Sequence, residues 1–279
     1  MTEEGRLKRL LLWLGVHMFR FSVHRAAGKC DWARLQAALA AGKEVNAQKK
    51  LGSTPLMVAI AQCNDAAIID RLIEAGADVN LAKNNGTTPL MVAAQLNYNP
   101  DITRQLIAAG AEVNATKTND VTTLMIAAYN NNEQVVEQLL QAGADLQAVR
   151  SDGVTALMAA AFSNKTAVIK LLLDYGAEVN ARSQSGLDAL MIAVEYSYDE
   201  QMIEALLKAG ANVNAQQENG MTALMIAAKL NEPHIVERLL DAGSDPCQQD
   251  SYGKTAYDWA ASYNSAVRNA PVYERLFAS

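Results

Sequence analysis

Thr54-Pro55-Leu56-Met57 is a phrase that the chain repeats. It returns as Thr88-Pro89-Leu90-Met91, Thr122-Thr123-Leu124-Met125, Thr155-Ala156-Leu157-Met158, Asp188-Ala189-Leu190-Met191 and Thr222-Ala223-Leu224-Met225, with a worn copy at Thr255. Successive starts lie 34, 34, 33, 33, 34 and 33 residues apart, and a fixed period of this size marks stacked repeats rather than one globular core. A second phrase keeps the same period: Ala75-Gly76-Ala77-Asp78-Val79-Asn80 returns over 109–114, 142–147, 175–180, 209–214 and 242–247. Between the phrases lie two short apolar-periodic stretches, such as 56–61 and 68–73, separated by turns rich in Asn: Asn64, Asn97 and Asn99, 130–132, Asn164 and Asn231. Asn tolerates the left-handed backbone that a tight turn needs, so each unit predicts a helical hairpin. The Gly of the second phrase ends the second helix, and a polar loop carrying Gly52, Gly86, Gly153, Gly186, Gly220 or Gly253 leads into the next unit.

These residues resemble the ankyrin family, whose repeat has a Thr-Pro-Leu-His phrase, a Gly-Ala-Asp-Val-Asn phrase and a period of about 33 residues. The resemblance covers roughly residues 20 to 279, and the Thr-Ala-Leu-Met style is similar to that of bacterial ankyrin proteins. It implies an all-α solenoid of stacked helix-turn-helix units with β-hairpin fingers, consistent with a chain half hydrophobic but only 6% aromatic. Two departures stand out. Every full copy has Met where the family has His, which turns a hydrogen-bonding column into apolar packing. Asp120 stands where other loops have Gly, so one finger is expected to bend.

The expected organisation is an N-terminal helix and degenerate capping repeat over 1–46, six repeats over 47–249 and a C-terminal capping repeat over 250–279, since a repeat array needs ends that hide one face. The closing helices are expected over 257–261 and 272–277. From Leu7 to Phe21 apolar residues follow helical spacing beside a stripe of Arg6, Arg9, Trp13, His17, Arg20 and His24. Three readings stay open for it: a cap on the first repeat, an export signal, or a helix lying on an anionic membrane through residues 6–24. Its apolar run is too short to span a bilayer. Cys30, Cys63 and Cys247 are too scattered for a disulfide framework, so reduced thiols in a cytoplasmic protein are expected.

Motifs for chemistry are lacking. Gly253-Lys254-Thr255 has Gln248 where a phosphate loop needs Gly, and His17, His24 and His234 are too separated for a metal site or a triad. Asp78, Glu112, Asp145, Glu178 and Asp245 recur at the repeat period, which makes them stacked neighbours rather than a convergent pair. The expectation is a monomeric, non-catalytic protein with no metal and no cofactor. A net charge of −6 disfavours nucleic acid.

Binding in the family uses the concave groove formed by the fingertips and first helices. Carried over position by position, the slot three before the loop Gly holds Lys49, Lys83, Lys117 and Arg150, then Ser183, Gln217 and Asp250. This predicts a basic ridge for an acidic or phosphorylated segment of a partner protein. The alternative is that Lys83, Lys117 and Arg150 pair with Asp78, Glu112 and Asp145. The ends of the first helices offer Leu96, Tyr129, Phe162, Tyr196 and Leu230, of which the three aromatics are candidate anchors. The function expected is a protein–protein interaction scaffold; a membrane-associated adaptor and an exported effector or toxin inhibitor are the alternatives.

Overall fold

The computed structural model describes residues 22–277 except 97, 98, 131, 132, 164, 198 and 231. It forms two compact units that meet in sequence at Thr118 and Asn119. The first holds three helical hairpins: Val23–Gly28 with Trp32–Ala40, Pro55–Gln62 with Ala66–Glu74, and Pro89–Leu96 with Pro100–Ala108. The second holds four, Thr123–Asn130 with Glu133–Gln141, Ala156–Phe162 with Thr166–Asp174, Ala189–Tyr196 with Glu200–Lys208, and Ala223–Leu230 with Pro233–Asp241, and then a closing group. That group contains a short helix the sequence did not announce, Ser265–Arg268, between Ala256–Tyr263 and Val272–Phe277. The expected helix over residues 7–21 lies outside the described residues.

The repeated phrase is a helix start. Thr54, Thr88, Thr122, Thr155 and Thr222 each accept the backbone N–H of the Met three residues on at 3.2 Å, which satisfies a donor the helix leaves unpaired, and a cap of this kind contributes about 1 kcal/mol. Asp188 makes the same bond at 2.8 Å. Pro55 and Pro89 follow at the first helical position, where no N–H is missed. The Leu and Met of the phrase point inward: Met57, Met91, Met125, Met158, Met191 and Met225 are at most 5% exposed. The Met column is therefore core, as the replacement of His implied. Second helices bury one stripe only, for example Ile102 and Leu106, or Val135, Val136 and Leu139, each such side chain contributing roughly 1.5–3 kcal/mol.

The turns between helices depart in part from the expected Asn signal. Asn64 is left-handed (φ 54°). Asn99 is extended (φ −125°) and caps the next helix by accepting the N–H of Asp101; Asn130 ends a helix and donates back to the carbonyl of Ile126 at 2.8 Å. An Asn side chain that finds a local backbone partner has no need of the left-handed region. Asn97, Asn131, Asn132, Asn164 and Asn231 lie outside the described residues.

The second phrase ties neighbours together. Asn80 donates to the carbonyl of Gly110 at 2.9 Å and accepts the N–H of Glu112 at 2.8 Å; Asn46, Asn180 and Asn214 do the same to the repeats that follow them. The periodic carboxylates serve this loop: Asp78, Asp145, Glu178 and Asp245 each accept the N–H two residues on. Fingers are tight turns closed by a pair of backbone bonds, such as Lys83 N–H to Thr87 O and Gly86 N–H to Lys83 O, both at 2.9 Å, and strand geometry occurs, among the described residues, only at Thr116–Lys117 and Val121–Thr122. Successive fingers join through their tips, as in Thr118 N–H to Asn85 O, and Gln184 N–H to Asp152 O. Gly86 meets both demands of this contact. Its φ is +82°, and a Cβ there would sit 2.9 Å from Lys117 Cα. At the finger without glycine, Asn119 and Asp120 both take positive φ (67° and 58°) and a 3-10 turn replaces the usual closure, which is the expected bend.

One expectation is overturned. Cys30 and Cys63 are bonded to each other, with Cα atoms 5.3 Å apart, while Cys247 is free and exposed. The two are 33 residues apart, one repeat period, so stacking places them in the same slot of adjacent hairpins. His24, read as part of a polar stripe, is buried, with its ring nitrogen Nε2 2.8 Å from the carbonyl oxygen of Ser53. Burial pushes its pKa below the ordinary histidine value.

Candidate partner-binding surface

The fingers of the two units present different charges. In the first, Lys49, Lys83 and Lys117 occupy the same position of successive fingers, with Lys83 Cα against Gly52 and Lys117 Cα against Gly86. The proposed pairing of Lys83 with Asp78 and of Lys117 with Glu112 is absent among the described residues, since Asp78 bonds its own loop instead. In the second unit the slot begins with Arg150 and continues with Ser183, Gln217 and Asp250. Arg150 pairs with Asp152, not Asp145: Nε donates to one carboxylate oxygen at 2.7 Å and a terminal nitrogen to the other. The bond holds the Asp152 carboxyl below its usual range and raises Arg150 further. A two-residue separation across the finger brings these side chains together, whereas Asp145 lies on the preceding loop.

The ends of the first helices are open. Leu96, Tyr129, Phe162, Tyr196 and Leu230 are 45–49% exposed, unlike the Leu and Met near the start of each of these helices. Three of them form one cluster within the second unit. Tyr129 and Phe162 stack at 6.2 Å between ring centroids with a 24° interplanar angle, and Phe162 meets Tyr196 at 4.7 Å with a 46° tilt, distances at which aromatic pairs attract. The rings reach one another because helices 123–130, 156–162 and 189–196 pack in succession and carry these residues near their C-terminal ends. They line a cleft of about 580 Å³ whose other wall is the fingers, with Arg150, Asp152, Val154 and Leu187. The neighbouring Glu195 carboxylate raises the Tyr196 phenol, so it stays neutral at physiological pH.

A second cleft, of about 650 Å³, lies between second helices and is lined by Lys170, Asp174, Glu204 and Lys208. Lys208 and Glu204 are paired at 2.7 Å, and this cleft lacks the aromatic lining of the other. Among the described residues no group of His, Cys, Asp and Glu could hold a metal ion, and no helix is long and apolar enough to cross a membrane.

A family model of three tandem ankyrin repeats matches residues 23–117, 90–183, 124–217 and 190–270. The chain belongs to the ankyrin-repeat family. Ankyrin repeats are protein-interaction modules, and the cleft lies at fingers and first-helix ends of this ankyrin-repeat chain. No curated protein matches the sequence. Among solved structures, the ankyrin repeat domain of Bcl-3, described as a unique member of the IkappaB protein family, is similar at 28% identity and a TM-score of 0.65, over 81% of this chain and 98% of that one.

Sequence reasoning named the three aromatics that the structure clusters, but not Asp152 as the partner of Arg150. Trp259 and Lys254 carry no signal in the repeat phrase itself, whereas Lys229 stands beside Leu230 in a groove-facing slot at the end of its first helix.

Proposed function

We propose that this chain is a non-catalytic scaffold that holds a segment of a partner protein in the cleft lined by Tyr129, Phe162 and Tyr196. The observation that carries this reading is the row of three half-exposed aromatic rings, with Phe162 paired to both Tyr129 and Tyr196, beside a cleft large enough for one or two side chains. Rings of this kind bury much area at little entropic cost, which makes them effective anchors. The similarity to an IkappaB-family ankyrin domain supports a role in binding protein. The lysine row of the first unit suits an acidic stretch and acts mainly on the rate of encounter. Peptides selected on the intact chain should lose at least about 100-fold in affinity when Tyr129, Phe162 and Tyr196 are all changed to Ala, roughly 3 kcal/mol, with the helical circular dichroism unchanged. Equal binding by the triple variant would remove this site.

The Cys30–Cys63 bond supports a second reading, in which the chain works as an exported protein, because disulfides persist in oxidising compartments and are rare in the cytosol. Thiol alkylation of protein taken from its native cell, with identification of its first residue, separates the two. Two blocked cysteines and a trimmed N-terminus favour export; three free thiols and an intact start favour the cytoplasm.

A further inference from the structure

The row of first-helix ends continues past the aromatic cleft, where its chemistry changes. Lys229 lies seven residues after the cap Thr222, the slot that Phe162 holds after Thr155. One repeat later, Lys254 and Trp259 take the slots of Val154 and Ala159, both of which line the cleft. The ammonium of Lys229 is 4.7 Å from the Trp259 ring centroid and 5.6 Å from that of Tyr263; the ammonium of Lys254 is 4.6 and 5.7 Å from the same rings. Two like charges thus converge on one aromatic pair.

The platform is fixed. Trp259 is buried, and its Nε1 donates to Asp250 at 3.0 Å. Asp250 also accepts the backbone N–H groups of Tyr252 and Lys254, and Asp258 is occupied in capping Thr255. Neither lysine has a carboxylate within 4 Å among the described residues, although residues 119–279 hold twenty acidic side chains against ten basic ones. The ring faces offset part of the mutual repulsion of the ammonium groups. An anion bound to either ammonium would offset more of it.

We infer that Lys229 and Lys254, held on Trp259 and Tyr263, form a carboxylate subsite of the same groove. The partner is then an extended segment that seats an aromatic or large aliphatic residue in the Tyr129–Phe162–Tyr196 cleft and an Asp or Glu at the lysine pair. Two repeats separate the helix of Tyr196 from that of Tyr263, about 20 Å at the spacing of packed helices, which an extended chain covers in roughly six residues. The inference rests on the cleft being the anchor site, as proposed above.

The test is a random peptide library displayed against the full chain and against K229Q/K254Q. Peptides that bind the intact chain should combine an aromatic or large aliphatic residue with an acidic one five to seven positions away. K229Q/K254Q should weaken them about tenfold and flatten their salt dependence, and Glu→Gln in the peptide should do the same. Cleft-dependent peptides indifferent to K229Q/K254Q would overturn the subsite and leave the cleft standing. Peptides indifferent to the Tyr129, Phe162 and Tyr196 changes, or no binders at all, would overturn both. Retention of a phosphorylated peptide in preference to its Glu counterpart would overturn the choice of carboxylate.

Discussion

The fingers of residues 22–118 and the groove of residues 119–277 are built on one repeat and present different surfaces. The first unit places Lys49, Lys83 and Lys117 at equivalent finger positions, with a disulfide between its first two hairpins. The second pairs its only cation in that slot, Arg150, with Asp152, and concentrates apolar area where Tyr129, Phe162 and Tyr196 meet. The lesson is that the buried positions, which must satisfy the neighbouring repeat, are copied, while exposed positions of the same slot are free to diverge. Charge acts from a distance and aromatic area only in contact, so the two surfaces differ in the kind of interaction each can make.

The comparison can be broken most sharply at the disulfide. Changing Cys30 to Ser should cost the first unit about 2–4 kcal/mol, read as faster amide exchange in 23–108, while exchange in the second unit stays as it was. If both units loosen equally, they are not separate in stability. Next in size are the finger glycines. Gly86→Ala forces a Cβ into the backbone at Lys117 and an unfavourable φ, a loss of about 2 kcal/mol or more; Asp120→Gly relieves the same backbone conformation and should gain about 1 kcal/mol in chemical unfolding.

Asp188 tests whether the second unit carries strain in its core. Burial raises its carboxyl pKa above the ordinary value, so the folded state binds a proton more tightly than the unfolded chain. Its favourable contribution is therefore present at low pH and lost as pH rises from the unfolded value near 4. Asp188→Thr, the residue of the other repeats, should stabilise by about 1 kcal/mol at pH 7 and by little at pH 3.5, measured by urea unfolding at the two values. The smallest effect is expected of the lysine row: K49E/K83E/K117E should slow association with an acidic peptide roughly threefold at low salt and leave dissociation unchanged. A large change in dissociation would mean that the fingers, not the aromatics, hold the partner.

Much of this was legible in the primary structure. Thr, Leu and Met at fixed spacing announce a capped helix with a buried start, and Gly at fixed spacing announces its end, because these roles are local and each residue type performs them through its own backbone or side-chain chemistry. The period alone gave the stacking, and with it the shared slot at the ends of the first helices where Tyr129, Phe162 and Tyr196 stand. Tertiary structure decided the rest. The bond between Cys30 and Cys63 needs the registry of two hairpins, and was missed because local spacing rules look for cysteines close in sequence. The choice of Asp152 for Arg150, and the convergence of Lys229 and Lys254 on Trp259, depend on which side chains of neighbouring elements end within a few ångströms. Sequence determined the repeat because each repeat solves the same packing problem; only the fold decided the site, because exposed side chains become neighbours through stacking and not through any pattern of their own.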